Sequence, residues 1–131
     1  MPHTVYSVVI ADDDEMIRWA LGALLDHHPS LTVLGSVNNG CRAAEICGRL
    51  RPTLAILDVM MDGGGIDGLT QVAAASPATA VVFYTAQADR RTRQKLLDAG
   101  AAAVFAKGAP IDLAAELLAI VALDDITQPE G

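Results

Sequence analysis

The chain has 131 residues, 52% of them hydrophobic, with 16 acidic and nine basic residues and a net charge of −7. That length is one domain's worth, and that apolar content can cover both faces of a sheet. The negative charge excludes the basic footprint of a nucleic-acid-binding surface, and no apolar run reaches membrane-spanning length.

The N-terminus lacks a basic region, and its apolar run meets three aspartates, so it does not read as a signal peptide. Val5 to Ala11 predicts a first strand that runs into Asp12-Asp13-Asp14. Asp13 or Asp14 can cap the following helix, with Glu15 in its first turn. Ile17, Leu21, Leu24 and Leu25 recur at helical spacing and predict its core face. His27-His28-Pro29 ends that helix; histidines suit the negative end of a helix dipole, and no third metal ligand stands near them in sequence. Leu31 to Val37 predicts a second strand, Asn38-Asn39-Gly40 a turn, and Cys41 to Leu50 a helix closed by Arg51-Pro52. Cys41 and Cys47 lie about 240° apart around that helix and share no face. They read as free thiols, as in a reducing compartment.

Leu54-Ala55-Ile56-Leu57 is a continuous apolar run ending at Asp58. Such a run predicts a strand buried on both faces, as in a parallel sheet. Met61 to Gly68 reads as a flexible surface loop, because its glycine spacing matches no phosphate-loop pattern. Leu69 to Ala75 predicts a short helix stopped near Ser76-Pro77. Ala80 to Tyr84 predicts a fourth strand ending at Thr85. Ala88 to Ala99 predicts a fourth helix carrying Arg90, Arg91, Arg93 and Lys95, with Gly100 as its cap. Ala102 to Ala106 predicts a fifth strand ending at Lys107. Pro110 suits the first turn of a last helix, Ile111 to Leu123, and Asp124 to Gly131 reads as a polar tail.

Five strand-helix alternations predict an α/β fold: a doubly wound, five-stranded parallel sheet with right-handed crossovers. Ligands of such sheets bind beyond the carboxyl ends of the strands. Asp12-Asp13, Asp58, Thr85 and Lys107 all fall at such ends and should converge. Three carboxylates repel one another, so a cation belongs among them. Mg²⁺ fits, since it takes carboxylate oxygens, keeps several waters and accepts phosphate as a further ligand. Lys107 is a point charge suited to a phosphate oxygen, and Thr85 is a hydroxyl donor suited to another. No Cys-His cluster suggests zinc, and no Ser-His-Asp set stands at strand ends. These residue types predict phosphoryl transfer to Asp58 as nucleophile, with the metal and Lys107 neutralising the transferring group.

The ordered set of segments is similar to a known family. "LAILDVMMDGGGIDGL" resembles the phosphoacceptor segment of response-regulator receiver domains of two-component signalling, "VVFYTA" their threonine segment and "AVFAKGAP" their lysine segment. "VVIADDDEMIRWALGALL" resembles the opening of the subgroup that precedes a helix-turn-helix (LuxR/NarL-type) output domain. The resemblance implies a flavodoxin-like fold and a bacterial cytoplasmic switch rather than a metabolic enzyme, catalysing only its own aspartyl phosphorylation and dephosphorylation. It implies Asp13 as a direct Mg²⁺ ligand, Asp12 acting mainly through water, Asp58 as a ligand that a sensor histidine kinase phosphorylates, and the Met60 carbonyl as a further ligand. Thr85 and Lys107 would contact the phosphoryl group and couple it to conformation.

The implied organisation is a receiver domain over residues 1–123. Residues 124–131 would be a polar tail or the start of a linker to a missing output domain, through which alone DNA would be met. The face of the fourth helix, fifth strand and fifth helix is a candidate homodimer surface, setting the four basic residues against Asp112 and Glu116. Several features depart from the family. The loop after Asp58 is longer and lacks the usual proline, and the third helix looks short. The switch aromatic expected three before the lysine is Val104, with Phe105 pointing to the opposite face. Gln87, two after Thr85, bears on access of an attacking water. Two rivals stay open. A haloacid-dehalogenase-like phosphatase needs a second Asp where Met60 stands. A receiver that binds partners without phosphorylation is compatible with the departures.

Overall fold

The computed structural model describes residues 4–127, the last four by backbone alone. The elements are β1 (Tyr6–Ala11), α1 (Glu15–Asp26), β2 (Leu31–Val37), α2 (Gly40–Leu50), β3 (Leu54–Leu57), α3 (Gly65–Ala75), β4 (Ala80–Thr85), α4 (Arg90–Asp98), β5 (Ala103–Ala106) and α5 (Leu113–Thr127). The strands form one parallel sheet in the order β2-β1-β3-β4-β5. This is the expected doubly wound, flavodoxin-like fold. The chain winds outward from β1 to β2 and then back through β3, so the winding reverses between β1 and β3. A crevice opens at such a reversal, beyond the carboxyl ends of the strands.

Period-two alternation divides the strands' side chains between two cores. Val9, Ala11, Ala55, Leu57 and Phe83 pack with residues of α2, α3 and α4, including Cys47, Val72 and Leu96. Val8, Ile10, Leu54, Ile56 and Val82 pack with Leu21 and Leu25 of α1 and Leu117 and Val121 of α5. The apolar runs were therefore buried on both faces, as their composition predicts. Local chemistry closes the elements. Asp14 Oδ1 accepts the N–H groups of Met16 and Ile17 and caps α1, leaving Asp13 exposed. Arg51 ends α2 in the left-handed region at φ 48°, just before Pro52. Cys41 is exposed and Cys47 buried, on different faces as expected. Burial pushes the Cys47 thiol up to about 11.

Several expectations need correction. Leu24 is 48% exposed rather than core. The buried stripe of α1 is Leu21 and Leu25, and Leu24 lies about 100° from Leu25, at its margin. The last helix begins at Leu113, with Asp112 Oδ1 accepting the Ala115 N–H, so Pro110 precedes the helix rather than occupying its first turn. It also runs through Thr127, past the expected end at Leu123, since the next proline is Pro129. Of the expected polar tail, residues 128–131 lie outside the described residues.

The largest difference concerns Met61 to Gly68. Gly65 to Gly68 form the first turn of α3, so that helix is as long as α2, 11 residues each, and is not short. The remaining segment is no free surface loop. Met61 is buried, and the Gly40 N–H donates to the Asp62 carbonyl at 2.9 Å. A Cβ on Gly40 would stand 1.8 Å from the Gly63 carbonyl oxygen, and one on Gly68 would stand 2.8 Å from it. The Gly63 carbonyl is thus clasped between two helix N-termini, an approach that side chains would forbid.

Candidate functional site

The strand ladders place the polar residues. Ala11 pairs with Leu57 and Thr85 with Ala106, so the residues just past them align. Backbone bonds continue beyond the strands: Asp12 N–H to Val37 O at 3.1 Å, Asp58 N–H to Ala11 O at 3.1 Å, and Lys107 N–H to Thr85 O at 2.9 Å. Thr85 therefore ends β4, and Asp12, Asp58 and Lys107 each stand one residue past a strand, tied to a neighbouring strand by a backbone bond.

Their side chains meet. Lys107 Nζ lies 2.7 Å from Asp12 Oδ2 and 3.0 Å from Asp58 Oδ2. The other Asp58 oxygen accepts the Met60 N–H at 3.2 Å, and Asp12 Oδ1 accepts the Asp14 N–H at 2.9 Å. Asp12, Asp58 and Thr85 are buried, whereas Asp13 is exposed at the mouth. Carboxylate oxygens of Asp12, Asp13 and Asp58 lie within 4.8 Å of one another. One cation could touch all three, and an all-oxygen set suits a hard divalent ion such as Mg²⁺. Met60 lies beside them through its backbone, with its side chain directed to solvent.

The two buried acids are not equivalent. Burial raises the Asp58 carboxyl, but the hydrogen bonds from Lys107, the Met60 N–H and the Thr85 hydroxyl, with the Lys107 charge, outweigh it and leave it below the ordinary range. Burial dominates at Asp12, aided by the Asp58 charge, and holds its carboxyl above the ordinary range despite Lys107. Burial works against the Lys107 ammonium, yet its two carboxylate partners raise it overall. Asp58 is thus the acid held ready as an anion.

Thr85 is fully buried, and its Oγ1 accepts the Gln87 N–H at 3.1 Å while the Gln87 side chain stays exposed. Val104 is buried in the core shared with Phe83 and Leu96, and Phe105 packs toward the opposite face, as strand alternation predicts. The basic cluster of α4 is not one solvated face. Arg93 turns inward, and its Nη1 donates to the Val104 carbonyl on the edge strand. Arg90, Arg91 and Lys95 remain exposed. Asp112 is the α5 cap, and Glu116 is exposed.

Two further contacts at the site are made by long basic side chains. Lys107 holds Asp12 directly as well as Asp58. Arg18 Nη1 donates to the Asp12 carbonyl at 2.8 Å and so fixes the turn after β1 from behind. A basic residue in the second turn of the helix that follows the acidic pair was the available clue to the second contact.

Comparison with known proteins agrees with this geometry. Residues 8–121 match the family model described as the response regulator receiver domain. The chain is 32% identical over 102 residues to protein-glutamate methylesterase/protein-glutamine glutaminase 4 of Myxococcus xanthus, covering 76% of this chain and 29% of that protein. It is 27% identical over 101 residues to the transcriptional regulatory protein LiaR of Bacillus subtilis, covering 76% and 48%. The chain thus spans half or less of these relatives. Its fold matches the signal receiver domain of the putative response regulator NarL from Mycobacterium tuberculosis (TM-score 0.81, 24% identity, 96% and 100% covered). It also matches a LuxR-family DNA-binding response regulator from Staphylococcus aureus (TM-score 0.77, 24% identity, 91% and 98% covered). At these identities the two structures show the shared fold. Among the described residues, no helix is long and apolar enough to cross a membrane. The match across most of the chain, on a sheet whose strand ends bring Asp12, Asp58, Thr85 and Lys107 together, makes this chain a member of the response regulator receiver domain family.

Proposed function

We propose that the chain is a phosphorylation switch of two-component signalling in the bacterial cytoplasm, with Asp58 as the acceptor. The observation that carries this is the Lys107 ammonium, 3.0 Å from Asp58 and 2.7 Å from Asp12, in a pocket of three carboxylates. An Asp58 oxygen attacks the phosphorus of a phosphohistidine on a sensor kinase; the new O–P bond forms as the P–N bond breaks, and the imidazole leaves with the electron pair. Lys107 stays bound to the acceptor side and offsets charge on the phosphoryl oxygens. Thr85, one residue short of an exposed loop, supplies a hydroxyl to another of those oxygens. A water later attacks the phosphorus and returns Asp58 and phosphate, so the chain turns over no metabolite. Asp13, Asp12, Asp58 and the Met60 carbonyl would hold Mg²⁺. When bound, that ion neutralises the acids and the incoming phosphoryl group.

Met16 and Trp19 of α1 stand exposed close behind Asp13 and offer an apolar seat for the kinase. The output is transcriptional, through a domain outside this chain that meets DNA. A homodimer through α4, β5 and α5 would use Arg90, Arg91 and Lys95 against Glu116, with Arg93 held on β5; such rim pairs weaken with salt. Intact mass after incubation with acetyl phosphate and Mg²⁺ tests the acceptor. One phosphoryl group should add to the native chain and none to Asp58→Asn; equal labelling of both would move the acceptor elsewhere.

A further inference from the structure

The carboxyl end of β2 carries groups that the acceptor chemistry does not use. Arg18 of α1 and Arg42 of α2 line one cleft of about 160 Å³ with Ser36, Val37 and Asn38. Among the described residues no carboxylate lies within 4.0 Å of either guanidinium, in a chain with 16 acids to nine bases. Two like charges sharing a cleft repel unless an anion lies between them.

One side of the cleft is fixed before any ligand arrives. Arg18 is anchored by its bond to the Asp12 carbonyl, which leaves the other N–H groups of its fork to donate. Arg42 projects from the capped first turn of α2, where Asn39 Oδ1 accepts its backbone N–H at 2.9 Å. The positive end of that helix dipole adds in the same sense. Asn38 Oδ1 is taken by the Asn39 side-chain amide, so the Asn38 NH₂ is left to donate, and Ser36 adds a hydroxyl. The cleft is open to solvent and wide enough for one tetrahedral oxyanion. The larger groove beside it shares Val37 and Arg42 and adds Arg49, but Glu45 and Asp62 offset those two charges.

We infer that the Arg18–Arg42 cleft binds a phosphate-sized oxyanion, free or as a phosphomonoester, and thereby ties α1 to α2 behind the acidic pocket. Arg18 holds the carbonyl of Asp12, so an anion there stiffens the turn that carries Asp12 and Asp13. The site stands apart from phosphorylation of Asp58, and its failure would leave that reading intact.

The test is a titration of the whole chain with inorganic phosphate, at constant ionic strength and without divalent cation, followed by backbone amide shifts. Saturable shifts should appear at Ser36 to Arg42 and at Arg18. Arg42→Ala should weaken binding about tenfold, with Arg42→Lys between the two, because one charge-assisted fork is lost. Lys107→Met should still bind, which separates the cleft from the Asp58 pocket. Repeating the titration with glycerol 2-phosphate identifies the source: tighter binding than inorganic phosphate marks an esterified ligand, weaker binding a free one. Shifts that grow linearly without saturation, or equal affinity in Arg42→Ala, would overturn the site.

Discussion

The two walls that flank Asp58 are built from different materials. On one side the segment after β3 meets α2 and α3 by close backbone contact, with the Gly63 carbonyl between Gly40 and Gly68, and Met61 packs into the core beside it. On the other side β5 pairs with β4 alone, and long side chains complete the contacts: Lys107 reaches Asp12 and Asp58, and Arg93 of α4 reaches the Val104 carbonyl. Backbone-on-backbone contact has no rotamer to yield, whereas a lysine or arginine can swing at the cost of a hydrogen bond. The glycine wall therefore fixes the pocket's shape, and the β5 wall is the side that can answer a change of charge at Asp58.

Gly40→Ala should break this contrast most severely. Its Cβ would need to displace the Gly63 carbonyl, so we expect a loss of about 3 kcal/mol or more, read by urea unfolding. Gly48→Ala is the control: its Cβ meets only Ala75, at 3.4 Å from Cβ and 3.8 Å from the carbonyl oxygen, and helix propensity favours alanine by about 0.5–1 kcal/mol. A Gly40→Ala protein as stable as the native chain would show that the glycine wall gives.

Val104→Tyr comes next. Val104 is buried among Phe83 and Leu96, so an aromatic ring there overpacks the core by about 1–3 kcal/mol. The same substitution should loosen the Arg93 contact, visible as faster amide exchange along β5. Unchanged stability would mean that α4 moves to admit the ring.

Lys107 should give the β5 wall a signature in pH. Its folded value lies above its ordinary 10.5, so its stabilisation is complete below that pH and is lost as pH rises through the folded value. Asp58 is depressed, so its contribution is complete above the ordinary carboxylate range and is lost as pH falls through its folded value. Asp12 is raised and opposes Asp58 in the acid range. Unfolding curves of the native chain and Lys107→Met should therefore converge above pH 10.5, and also at acid pH, where the carboxylates become protonated. A constant difference across pH would remove Lys107 from the acid pair.

The smallest effect belongs to Arg93→Ala. Loss of one half-buried hydrogen bond should cost about 1 kcal/mol. Exchange protection should fall at the edge of β5 and remain unchanged at Gly40 and Gly63. Equal loosening of both walls would erase the contrast between them.

The sequence by itself determined the sheet, the winding and the residues at the strand ends. Short apolar runs that stop at Asp12, Asp58, Thr85 or Lys107 are local signals, and parallel pairing then aligns them without further information. It also narrowed the first cap to Asp13 or Asp14, put Gly100 past the end of the fourth helix and set Val104 and Phe105 on opposite faces, because period and capping depend on near neighbours. Tertiary structure decided what the glycines after Asp58 are for. A glycine's role depends on what approaches it, and Gly40 meets Gly63 from another helix. Periodicity therefore misread an ordered, docked segment as a loop and the first turn of α3 as its continuation. Tertiary structure likewise chose the direction of Arg93 and gave Lys107 two carboxylates to hold. A long charged side chain reaches several partners from one backbone position, and only the packed fold settles which of them lies within 3 Å.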